Sequence, residues 1–145
     1  MKQLSEEDKQ LLLKDLCARL PYGVIGEYSW KGNEPYNREL TGSLFDELKS
    51  SWDSTEDSEF LPYLRPLSSM TEEENLGLAE FVGVHVSAKH GEIYFPNLSD
   101  NTACNWHKVF DWLNKKMFDY RGLIPRSRAI EVTKEELDNL RRQLN

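Results

Sequence analysis

Cys104 and His107 stand three residues apart. On a helix that spacing makes two side chains neighbours, and metal ligands use it. A closed zinc site takes four ligands, and His85 and His90, the remaining histidines of the chain, would have to complete it. The same pair has the types needed for thiolate chemistry, which asks for a cysteine beside a histidine and a third group to orient the base. No Gly-x-Ser-x-Gly elbow, Walker loop or dinucleotide fingerprint accompanies it. Carboxylates are plentiful, but they gather at 46–59 and 72–74. There they read as solvated or helix-capping groups, not as an acid pair across a deep cleft. Cys17 and Cys104 read more simply as reduced, buried thiols. The expectation is therefore no catalytic residue, no metal and no cofactor.

Charge is distributed unevenly. The formal net charge is −7, opposite in sign to a general nucleic-acid binder. Yet from 108 to 128 six basic residues face two acids, a local balance of +4. Phe118 and Tyr120 are interleaved with Lys115, Lys116, Arg121, Arg126 and Arg128. Basic and aromatic residues together suit an acidic partner or a phosphate backbone. The plainer alternative pairs Arg121 with Asp119 or a carboxylate at the edge of the core and leaves the rest solvated. The stretch 46–59 has the opposite balance, −5, with Trp52 as its one aromatic residue and large apolar anchor. Trp52 either anchors an interface or folds back onto a sheet. The candidate partner or anion contacts are thus Trp52, Tyr120, Arg121, Arg126 and Arg128, and the acidic stretch could itself occupy the basic one.

These residues need elements to position them. Ser5 before Glu6, Glu7 and Asp8 starts a helix over 6–20, with Leu12, Leu13, Leu16, Cys17 and Leu20 as its apolar face and Pro21 as its stop. Tyr22, Val24, Tyr28 and Trp30 alternate as in a strand, and Gly26 leaves a gap in that face. Arg38 to Phe45 reads as the second strand of a hairpin, and 46–59 as an acidic loop. Pro62 and Pro66 make 60–67 an extended edge segment. Thr71 with Glu74 is a capping box, and the helix after it turns Leu76, Ala79 and Phe81 or Val82 inward before Gly83. Residues 84–86 and 91–95 read as short extended pieces. A helix capped by Ser99 or Asp100 carries Ala103, Trp106, Phe110, Leu113 and Met117 at helical spacing, so Trp106, Phe110 and Leu113 are expected in the core. Ala129–Val132 reads as a strand. Thr133 with Glu136 caps a last helix bearing Leu137, Leu140 and Leu144, which must dock on its own domain or on a second copy.

The fold expected is α+β in a single domain of 145 residues. An amino-terminal helix and a small curved antiparallel sheet, in the manner of an SH3-like partial barrel, occupy 1–67, and a mainly helical part follows over 68–145. The amino terminus is too acidic for a secretory signal, and no apolar run approaches the ~20 residues of a membrane span. A cytoplasmic location is expected.

Three stretches carry a resemblance. They are Leu16-Cys17-Ala18-Arg19-Leu20-Pro21-Tyr22-Gly23-Val24-Ile25, Pro62-Tyr63-Leu64-Arg65-Pro66-Leu67-Ser68-Ser69-Met70-Thr71-Glu72-Glu73, and Asp111-Trp112-Leu113-Asn114 with Phe118-Asp119-Tyr120-Arg121-Gly122-Leu123-Ile124. Over about half its length the chain resembles a family of short uncharacterised proteins carried in prophage-like and other mobile elements of gut Bacteroidales. The resemblance implies a bacterial cytoplasm and an accessory role, and it brings no catalytic residue. Members carry histidines just before the last block, where this chain has Lys115, Lys116 and Met117.

The functional expectation is a non-catalytic accessory or protein-interaction protein of a mobile element, with another protein as partner and no membrane. A monomer is favoured, with a homodimer through 133–145 as the other outcome. A nucleic-acid module using 108–128 is the first alternative, and a small enzyme with an unrecognised site is the second.

Overall fold

The structure is a computed structural model that describes residues 4–30, 32–52, 58–83, 86–89, 92–95 and 103–144. Its first helix, α1 (Glu6–Arg19), starts where the Ser5 hydroxyl accepts a hydrogen bond from the Asp8 amide at 3.1 Å. The buried face of α1 is Leu12, Asp15, Leu16 and Arg19, spaced at i, i+3, i+4 and i+7. That face is turned away from the one expected, because two charged residues face inward with the leucines. Cys17 is carried round to the surface as a free, exposed thiol, not a buried one. The side chain of Cys104 lies outside the described residues. Leu20–Tyr22 forms one turn of 3-10 helix before the sheet.

The hairpin is present but shorter than expected. β1 (Ile25–Trp30) pairs antiparallel with β2 (Tyr36–Glu39), with Tyr28 opposite Tyr36. The chain then leaves the sheet. The Thr41 hydroxyl accepts from the Leu44 amide at 3.1 Å and opens α2 (Gly42–Trp52), which buries Leu44, Phe45 and Leu48. The strand expected to reach Phe45, and the loop expected after it, are therefore largely a helix. Leu44 and Leu48 are one helical turn apart, and Thr41 supplies the cap. Residues 53–57 of the expected loop lie outside the described residues.

β3 (Ser58–Pro66) is the hub of the sheet and not an edge. It pairs antiparallel with β1, and parallel with β6 (Phe118–Asp119) and β7 (Ile130–Glu131). Pro62 is tolerated there because it falls at the last register pair of the β1 ladder, opposite Gly26. A Cβ on Gly26 would lie 2.5 Å from the Phe60 ring and 2.6 Å from the Leu61 carbonyl oxygen. The gap that Gly26 leaves is what lets β3 approach. The sheet is mixed and draws two strands from the second half of the chain. It is thus neither wholly antiparallel nor confined to 22–67, and an SH3-like partial barrel is not what these pairings build.

α3 (Glu72–Val82) begins at the expected box, where Thr71 accepts from the Glu74 amide and Glu74 accepts from the Thr71 amide. It ends at Gly83, whose φ is 88°. Leu78 and Val82 are its buried residues, whereas Leu76 and Phe81 are 72% and 52% exposed. β4 (Ser87–Lys89) and β5 (Glu92–Tyr94) form a separate hairpin. α4 (Ala103–Lys115) buries Val109, Trp112 and Leu113 but leaves Phe110 37% exposed. The expected cap of α4 at Ser99 or Asp100 lies outside the described residues. α5 (Lys134–Leu144) starts at the Thr133–Glu136 box and buries Leu137.

The architecture is mixed α and β, with two buried clusters. One joins α1, α2 and the sheet with Leu137 of α5. The other joins α3, α4 and the second hairpin around Leu78, Val109 and Leu113. They meet at consecutive residues, Met117 belonging to the first and Phe118 to the second. Among the described residues, no helix is long and apolar enough to cross a membrane.

Candidate functional site

The arginines of the basic segment do not stand free. Asp15, fully buried on α1, accepts from Arg19 Nε at 2.9 Å and from Arg121 Nη1 at 2.9 Å. Arg19 also donates to the Phe118 carbonyl at 2.6 Å. Arg126 donates to Glu7 at 2.8 Å and to Asp8 at 3.0 Å, and Arg128 Nε donates to Asp8 at 3.0 Å. Burial pushes the Asp8 carboxyl upward, but hydrogen bonds and charge from Arg128 and Arg126 outweigh it and hold it below the usual value. Glu7 and Asp8 in turn raise the Arg126 guanidinium. The first turn of α1 thus neutralises Arg126 and Arg128, while Asp15 further along the helix holds Arg121.

Two pairings bear on alternatives that the sequence left open. Arg121 meets Asp15 and not Asp119, because Asp119 accepts from the Leu123 and Ile124 amides at 3.0 and 2.9 Å and fixes the turn after β6. From the acidic stretch 46–59, among the described residues, Glu59 alone approaches the arginines, at 4.0 Å from Arg128. Trp52 is half-buried and packs against the first core cluster. Tyr120 donates its hydroxyl to Asn114 Oδ1 at 2.8 Å.

Tyr120 also ends a row of rings. Phe95 packs edge-on against Trp106 at 4.9 Å, Trp106 stacks on Phe110 at 5.7 Å, and Phe110 stacks on Tyr120 at 5.0 Å. The Arg121 guanidinium lies 4.5 Å from the Tyr120 ring centre. Offset stacking and cation–π contact each add favourable energy beyond buried area. The row starts at buried Phe95, passes half-buried Trp106 and emerges at Phe110. Phe110 faces outward because α4 turns Val109, Trp112 and Leu113 to its core side.

A cleft of about 760 Å³ opens where α3, α4 and α5 converge. Arg65 and Glu74 lie in its wall as a bidentate pair at 2.7 and 2.8 Å. Arg65 is 3% exposed and lies over the Phe118 ring, 4.2 Å from its centre. Burial alone would raise the Glu74 carboxyl, but hydrogen bonds from Arg65 and the Thr71 amide prevail and lower it to about 2. Lys115, Lys116, Lys134 and Arg141 also line the cleft, facing Glu73 and Asp138. None of these four cations forms an ion pair with a described residue. The Nε atoms of Arg65 and Arg141 are buried without an acceptor. Tyr22, Trp112 and Gly77 supply apolar and open surface.

Sequence reasoning did not assemble this cleft. It assigned Lys115 and Lys116 to the basic segment and gave no role in a site to Lys134 or Arg141. Arg65, a cation inside the apolar run from Phe60 to Leu67, was the signal that a buried partner had to exist. His107 is exposed and 3.8 Å from Asp111. Among the described residues, no group of three or more histidines, cysteines or carboxylates is arranged to hold a metal ion. No protein-family model, curated protein or solved structure matches the chain.

Proposed function

We propose that the chain is a non-catalytic protein-interaction protein of the cytoplasm, an accessory of a mobile element, acting as a monomer. The observation that carries this reading is the aromatic row that reaches the surface at Phe110. A large ring held in place by stacking on both sides loses little side-chain freedom when a partner covers it. Such pre-ordered aromatic residues serve as interface anchors. The partner that fits is a protein presenting an apolar or aromatic side chain to α4. Trp52, first considered for this role, is turned toward the core.

The nucleic-acid alternative loses its main support in the α1 carboxylates. A phosphate backbone would have to displace Glu7, Asp8 and Asp15 from the arginines it needs.

The test is affinity capture from the host with the wild-type chain and with Phe110→Ser, after both are shown to be folded. A protein retained by the wild type and lost by the variant supports the reading. Equal retention by both overturns the role of the row. Nucleic acid retained at low salt and released at physiological salt would promote the alternative, because backbone contacts weaken steeply with salt.

A further inference from the structure

We propose that the cleft between α3, α4 and α5 binds a small organic phosphate, with its phosphate groups among the cations of α4 and α5 and its organic body against Tyr22 and the edge of Trp112. The volume, about 760 Å³, falls within the range of small-molecule sites. Lys115 and Lys116 come from the end of α4, and Lys134 and Arg141 from α5. Arg65 and Glu74 cancel each other, so the four cations without an ion pair, of which Lys116 lies over the Trp112 ring at 5.9 Å, share the cleft with only Glu73 and Asp138. The balance favours a ligand with at least two negative charges.

Two further features shape the site. First, the buried Nε donors of Arg65 and Arg141 have no acceptor among the described residues. A buried donor without a partner is costly; both nitrogens are closed to solvent, so a phosphate oxygen in the cleft would accept from the terminal nitrogens of Arg141 and from the lysines, not from Nε itself. Second, Gly77 sits inside α3, where glycine is a poor helix former. A Cβ there would meet Trp112 Cζ2 at 3.9 Å, an ordinary contact. Packing therefore does not require this glycine. What it does is leave room in the cleft beside the Cζ2 edge of Trp112, a ring that is otherwise buried and stacked on Phe118. Lysine and arginine from α4 and α5, with Tyr22 and the edge of Trp112 beside them in a cleft of this volume, suit a phosphorylated molecule larger than phosphate itself.

The site is separate from the aromatic row, so each can fail without the other. The experiment is calorimetric titration of the full chain with a nucleoside diphosphate, a sugar bisphosphate and pyrophosphate, at low and physiological ionic strength. Three variants accompany the wild type: Lys115→Gln with Lys134→Gln, Gly77→Leu, and Arg126→Gln as a charge control outside the cleft. Both lysines are exposed, so their loss should leave the fold intact. The expected result is that one of the two organic phosphates binds more tightly than pyrophosphate. The double lysine variant should weaken that binding by about tenfold or more, Gly77→Leu should weaken the organic ligand more than pyrophosphate, and Arg126→Gln should do neither. The nucleoside and sugar arms decide which body the cleft accepts. No heat from either organic phosphate overturns the proposal, as does equal weakening by Arg126→Gln, or pyrophosphate binding as well as both organic ligands with no effect of Gly77→Leu.

Discussion

Asp15 illustrates how much one side chain can hold. It is fully buried, and it receives one guanidinium from its own helix and another from the turn after β6. Removing it leaves Arg19 buried without its ion-pair partner, so Asp15→Ala should cost about 3–5 kcal/mol, measured by urea unfolding. Arg121→Gln, at the more exposed end of the network, should cost clearly less. An equal loss in the two variants would show that Arg19 is held by the Phe118 carbonyl alone. Glu74 gives a second prediction at this scale. Its carboxyl is lowered from 4.5 to about 2. A lowered carboxylate contributes stability that is whole above its unfolded value and lost as pH falls through the folded one. Stability should therefore decline from about pH 4.5 toward pH 2, and Glu74→Gln should flatten that part of the curve. Asp8 shifts in the same direction and adds to the slope that remains.

At the scale of elements, α4 offers the sharpest contrast. Leu113 is fully buried and Phe110 is 37% exposed. Leu113→Ala should cost about 2–5 kcal/mol, and Phe110→Ala about 1 kcal/mol, by chemical denaturation. The reverse order would place Phe110 in the core, where helical spacing alone had put it. Spacing gives the width of an apolar stripe but not its centre, and Phe110 lies on its margin. The same ambiguity turned Leu76 and Phe81 outward on α3 and Cys17 outward on α1. α2 was misread for a different reason. Leu40 and Leu44 suit a strand with Gly42 as a bend, and only the cap at Thr41 decides for helix. Thr41→Ala should accordingly destabilise the protein by about 1 kcal/mol. The capping boxes at Thr71 and Thr133 were legible because each is a local bargain between a side chain and a backbone amide three residues away. The parallel pairs of β3 were not, since nothing near Arg65 names Phe118. The cleft was hidden for the same reason, its cations being drawn from β3, the end of α4 and α5.

Across the whole molecule, charge is arranged in pairs that join distant parts of the chain. The first turn of α1 holds the segment around Arg126 and Arg128, and Arg65 holds the start of α3. Raising salt should therefore lower stability modestly through the exposed Arg126 pairs and leave the buried Asp15 network almost unchanged. α5 returns to the first cluster with Leu137 buried and Leu140 packed against it. A chain ending at Val132 should unfold at lower denaturant yet show the same size in solution as the full chain. A dimer that becomes a monomer on truncation would assign α5 to a second copy instead.

The hub position of β3 has a consequence in time. β1 and β2 can pair as soon as their own hairpin closes, but β3 must wait for Phe118 and Ile130 before both parallel ladders exist. Closing loops of that length is slow compared with zipping a hairpin, and parallel pairing is among the slower events of folding. On a ribosome, α1 emerges long before the Phe118 carbonyl that Arg19 binds and the Arg121 that completes Asp15. The amino-terminal half therefore spends its early life with a charged pair it cannot yet bury. The arrival of a two-residue strand late in the chain is what commits that half to its final packing.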